Sequence, residues 1–106
     1  MKLIELDMNS LRSEKEVHEL LARELGFPEY YGANLDALYD MLTTELEGNV
    51  CLVVTAPGEE SPLLGFYEKL RRVLTDAAET LEEYDDRLYA VFADKGPLNN
   101  EFERRW

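Results

Sequence analysis

The chain has 106 residues, of which 45% are hydrophobic, and carries one cysteine and a formal net charge of −12. That length fits one domain with one core and leaves no room for a second. The single Cys51 excludes an internal disulfide. The charge argues against direct nucleic-acid binding and against docking on an anionic membrane, since both rely on Lys and Arg.

The first residues, MKLIELDMNS, hold only a brief apolar patch with acids inside it, unlike a secretory signal. No segment approaches the length of a membrane span. With Cys51 set in the apolar run VCLVV, a reducing, cytoplasmic setting is expected.

Residues 2–6, KLIEL, read as a short strand. Ser13 followed by Glu16 has the spacing of a capping box and opens a helix striped by Val17, Leu20, Leu21 and Leu25. Gly26 is its stop signal. After the loop FPEYYGA, Asn34 caps a second helix with Leu35, Leu38, Leu42 and Leu46 on its core face and Gly48-Asn49 at its end. Residues 49–56, NVCLVVTA, form a nearly unbroken apolar run that suits a strand covered on both faces. A long helix is expected from about Pro62 to Glu83, with Leu63, Phe66, Tyr67, Leu70, Val73, Leu74, Ala77 and Leu81 at helical spacing. The acidic EEYDD at 82–86 reads as a solvated turn before a third strand, RLYAVFA, at 87–93. The tail from 94 to 106 has no clear period beyond an apolar anchor such as Phe102 or Trp106.

Strand, helix, helix, strand, helix, strand implies an α/β domain with a small parallel sheet and right-handed helical crossovers. Within it, the second helix poses a question. Asp36 and Asp40 stand one turn apart on one face, beside Tyr39 and Thr43. Like charges at this spacing repel by a few tenths of a kcal/mol, and aspartate is a poor helix former past the first turn. Asp36 gains from the helix dipole, but Asp40 does not.

Three kinds of chemistry compete for this pair. An enzyme would also want a nucleophile, a metal or a glycine-rich turn, and none is visible. His18 falls on the polar side of the first helix and reads as a solvated surface residue, and Cys51 as a small buried hydrophobe. A calcium site would want alternating oxygen ligands around a central glycine, which neither the aspartates nor EEYDD supply. No cofactor or metal is expected. A binding surface fits better: Tyr30, Tyr31 and Tyr39 offer rigid contact area, and carboxylates accept charge-assisted hydrogen bonds from a basic partner.

The stretch Pro28-Glu29-Tyr30-Tyr31-Gly32, then Asn34-Leu35-Asp36-Ala37-Leu38 and Asp40, closely resembles the core motif of the barstar family, intracellular inhibitors of bacterial ribonucleases. LRRVLTDA at 70–77 and the element order extend the resemblance over roughly residues 2–93. It implies a three-stranded parallel sheet packed by helices, with a barstar-like inhibitor domain at 1–93 and an extension of unknown role at 94–106. It also implies inhibition without catalysis, by laying the second helix and its preceding loop across the active site of a basic ribonuclease or ribonuclease toxin domain. Carried over residue by residue, the contact surface comprises Tyr30, Gly32, Asn34, Leu35, Asp36, Tyr39, Asp40, Thr43, Val73 and Asp76. Asp40 would take a phosphate position, with Asp36 and Asp76 pairing with cationic groups at the rim. The family type has tryptophan in place of Tyr39, and a Gly-Trp pair in place of Thr44 and Glu45, so the far end of the epitope turns from apolar to acidic. A monomer is expected when free. The alternative is an acidic adaptor that binds a basic protein other than a nuclease.

Overall fold

A computed structural model describes residues 2–46, 48–82 and 87–93. The elements follow the expected order: β1 (Lys2–Asp7), α1 (Glu14–Leu25), α2 (Leu35–Thr44), β2 (Asn49–Thr55), α3 (Leu64–Leu81) and β3 (Arg87–Ala93). The three strands form one parallel sheet in the order β1-β2-β3. The domain is therefore α/β, with a three-stranded parallel sheet packed by helices.

Register rows alternate between the two faces of the sheet, as the period of two requires. Ile4 pairs with Leu52, and Leu6 with Val54, on the inner face. These four side chains, with Val50 and Leu88, belong to the one contiguous core. The buried apolar residues of all three helices, among them Val17, Leu21, Leu38, Leu42, Leu70 and Leu74, join the same core. The helices thus occupy one side of the sheet.

Local chemistry sets the helix ends. Ser13 Oγ accepts from the Glu16 amide at 3.2 Å, as a capping residue should. The Glu16 carboxylate reaches back to the Arg12 amide at 2.5 Å, one residue earlier than a standard capping box. Gly26 ends α1 in the left-handed region at φ 70, with its N–H bonded to the Ala22 carbonyl.

Two helices are shorter than the apolar pattern suggested. α2 stops at Thr44, and Leu46 is buried beyond its end. The Thr43 and Thr44 hydroxyls bond back to the carbonyls of Tyr39 and Asp40, an alternative to helix continuation that these residues favour. α3 begins at Leu64 because Ser61 holds the preceding turn, its Oγ accepting from the Leu63 amide and its carbonyl from the Leu64 amide. α3 ends at Leu81, with Glu82 as its cap, short of the expected Glu83, and the EEYDD turn beyond Glu82 and the tail from Asp94 lie outside the described residues.

Candidate functional site

The loop between α1 and α2 is held by its inward-facing aromatics. Tyr31 N–H bonds to the Pro28 carbonyl, and the rings of Phe27 and Tyr31 meet with centroids 4.9 Å apart. The Tyr31 hydroxyl pairs with His18 Nδ1 at 2.5 Å. His18 is therefore not the solvated residue its place on the helical wheel suggested: it is only 3% exposed, packed edge-on against Phe66 of α3. Burial pushes the His18 pKa below its ordinary value, a shift that nearby Glu14 opposes. The same burial pushes Tyr31 up to about 12. Tyr31 anchors the loop, whereas Tyr30, 72% exposed, projects into solvent.

The turn into α2 is tight. A Cβ on Gly32 would lie 3.3 Å from Asn34 Nδ2 and 3.6 Å from the Ala37 Cβ, so a side chain there would crowd the cap. The left-handed residue is Ala33, at φ 52, not the glycine before it. Such a conformation costs a residue with a Cβ about 1 kcal/mol and is held here by its neighbours. Asn34 then caps α2, its Oδ1 accepting from the Ala37 amide at 2.8 Å.

Leu38 and Leu42 pin α2 to the core, which turns Asp36 and Asp40 outward on the opposite flank, both exposed. Leu35 and Tyr39 are half-buried between these flanks. The Tyr39 hydroxyl bonds to Thr80 Oγ1 of α3 at 2.7 Å, and Thr80 Oγ1 also reaches the Asp76 carbonyl at 3.1 Å. α2 and α3 thus present one continuous surface, to which α3 adds half-buried Val73 and exposed Asp76. Thr43 is half-buried, its hydroxyl bonded to the Tyr39 carbonyl.

All ten residues expected in the contact surface are exposed or partly exposed: Tyr30, Gly32, Asn34, Leu35, Asp36, Tyr39, Asp40, Thr43, Val73 and Asp76. Among the described residues, none of Asp36, Asp40 and Asp76 has an ion-pair partner, the recorded pair being Arg23 with Glu24. An open depression of about 520 Å³ between the starts of the three helices includes Asp36 and Lys69 in its wall, but not Asp40. It does not bring the two carboxylates together, as acid–base work on one substrate would require. Among the described residues there is no group of three or more His, Cys, Asp or Glu that could hold a metal ion. No helix among them is long and apolar enough to cross a membrane.

Parallel strands, helices on one face and a capped acidic helix beside an aromatic loop define a small α/β domain with an exposed acidic surface. Comparison with known proteins gives it a family. The barstar (barnase inhibitor) family matches residues 1–93. A Bacillus subtilis (strain 168) protein named "Putative ribonuclease inhibitor YrdF" is 33% identical over 84 residues, covering 78% of this chain and 92% of that protein. The chain belongs to the barstar family.

Proposed function

We propose that the protein inhibits a basic microbial ribonuclease by covering its active site with α2, the loop before it and the exposed edge of α3. One observation carries the reading. Asp36 and Asp40 stand exposed on a capped helix that is anchored at both ends, with no ion-pair partner among the described residues. Such carboxylates need no reorganisation to meet cations, so little conformational entropy is lost on binding.

A ribonuclease holds RNA phosphates with Arg, Lys and His, and a fixed carboxylate accepts hydrogen bonds from the same donors. Asp40 takes the phosphate position, while Asp36 and Asp76 face cations around it. Gly32 and Asn34 let the loop backbone approach closely, and Tyr30, Leu35, Tyr39, Thr43 and Val73 exclude water from the contact. The protein performs no chemistry itself. Membership in a family of ribonuclease inhibitors supports this reading, as does the ribonuclease inhibitor named among its relatives. An immunity role, protecting the producing cell from a ribonuclease toxin domain, fits the same surface.

The test is capture of partners from the native host or its competitors by wild type and Asp40→Ala in parallel, followed by an RNA-cleavage assay on what binds. A ribonuclease held by wild type and lost by the variant is expected. A non-nuclease held equally by both would replace the inhibitor reading with the adaptor one.

A further inference from the structure

The contact surface proposed above is acidic, yet a cation is built into its edge. Gly65, Lys69, Val73, Asp76 and Thr80 recur every three or four residues and form one stripe along α3. Thr80 is bonded to Tyr39, and Val73 and Asp76 belong to the proposed surface, so this stripe runs along the border with α2. Lys69 stands on it one turn before Val73. Lys69 also lines the open depression of about 520 Å³ whose wall includes Asn34, Leu35 and Asp36 at the start of α2. It therefore shares a cleft with one of the carboxylates proposed to meet the partner.

The fold leaves the charge of Lys69 without a close counter-ion. Its neighbours one turn away on α3 are Gly65, Phe66, Arg72 and Val73, none of them acidic and one of them a like charge. Arg72 is better placed, with Glu68 and Asp76 each four residues from it. Lys69 is exposed and has no ion-pair partner among the described residues, Asp36 included. A basic partner that brings a cation to Asp36 also brings it up against Lys69. Like charges forced together as an interface loses water are penalised. An acid of the partner set beside that cation removes the repulsion and gains a charge-assisted hydrogen bond from Lys69.

We propose that Lys69 is a specificity-determining residue of the contact surface: it selects a ribonuclease that presents an Asp or Glu beside the cation facing Asp36, and it rejects basic ribonucleases that present cations alone there. The inference rests on the inhibitor reading and adds to it the charge pattern of the partner. Net charge draws in any basic protein, whereas Lys69 discriminates among them at contact.

The test uses a ribonuclease that the wild-type chain inhibits and compares Lys69→Glu, Lys69→Gln and a control, Lys2→Glu, at the start of β1 beside the end of α1. Each Glu variant makes the chain more acidic, so steering alone would tighten binding of a basic enzyme or leave it unchanged. For Lys69→Glu the expected result is the reverse: inhibition weaker by about tenfold, mainly through faster dissociation, with Lys2→Glu as potent as wild type. Lys69→Gln should lose less, about threefold, and replacing the facing acid of the ribonuclease by Lys should restore inhibition by Lys69→Glu. A Lys69→Glu as potent as wild type, while Asp40→Ala is impaired, would overturn the proposal and keep the inhibitor reading. So would an equal loss in Lys2→Glu, or a Lys69→Glu that no acid-to-Lys replacement on the ribonuclease rescues. No ribonuclease inhibited by wild type would overturn both. Should Lys69→Glu fail to fold, the comparison of Lys69→Gln with wild type decides.

Discussion

His18 and Thr80 tie the proposed binding surface to the rest of the domain through single hydroxyl contacts, and each makes a prediction. Desolvation favours neutral His18 in the folded chain and lowers its pKa, while the unfolded chain takes up a proton near 6.5. The contribution of His18 is therefore whole above pH 6.5 and is lost progressively as pH falls below it toward the depressed folded value. Glu14 on α1 and Tyr31 from the loop are the titratable groups that bear on the ring. Urea midpoints should fall between pH 7 and pH 5, and His18→Gln, although less stable at pH 7, should show a shallower decline. An identical slope in the variant would assign the effect to other groups. Thr80→Val leaves the Tyr39 hydroxyl without its partner and should lower stability by about 1 kcal/mol, with recovery in Thr80→Ser. Because Tyr39 lies in the proposed contact surface, the same change should raise the dissociation rate of the inhibited complex in surface plasmon resonance.

At the scale of elements, the turn into α2 sets how the acidic face is presented. Asn34→Ala removes the cap and should cost about 1 kcal/mol in denaturant unfolding. Ala33→Gly relieves the left-handed strain and should raise stability by up to about 1 kcal/mol. A loss of stability in that variant would mean that the φ of Ala33 is unstrained. The same turn shows what the residue string reveals. The caps at Ser13 and Asn34, the stop at Gly26 and all three strands are legible, because each depends on neighbours within a few residues. The burial of His18 depends on Phe66 and Tyr31 closing over it from other elements, which a helical wheel of α1 cannot register. The Tyr39–Thr80 bond joins residues 41 apart in sequence. At Ala33 the adjacent glycine carries the obvious turn signal and masks the residue that bends. Of the proposed contact surface, the carboxylate pair is visible as a local anomaly, whereas Val73 and Asp76 enter it through family resemblance and not through any pattern in α3.

On the scale of the whole molecule, a net charge of −12 on 106 residues creates a field that draws in basic partners. Association with a cationic ribonuclease should slow steeply as salt rises and the Debye length shrinks, while dissociation changes little. Stopped-flow mixing over a salt series would separate the two, and a salt-independent association rate would show that the charge serves solubility alone. The central claim is the masking of a ribonuclease active site by Asp40. Its most direct test is titration of RNA cleavage by a panel of basic, guanyl-preferring microbial ribonucleases, with wild type and Asp40→Ala side by side. For at least one enzyme, wild type should abolish cleavage near one equivalent, and the variant should bind more weakly by about 2–5 kcal/mol. Cleavage untouched across the panel at large molar excess, or an Asp40→Ala as potent as wild type, would contradict it.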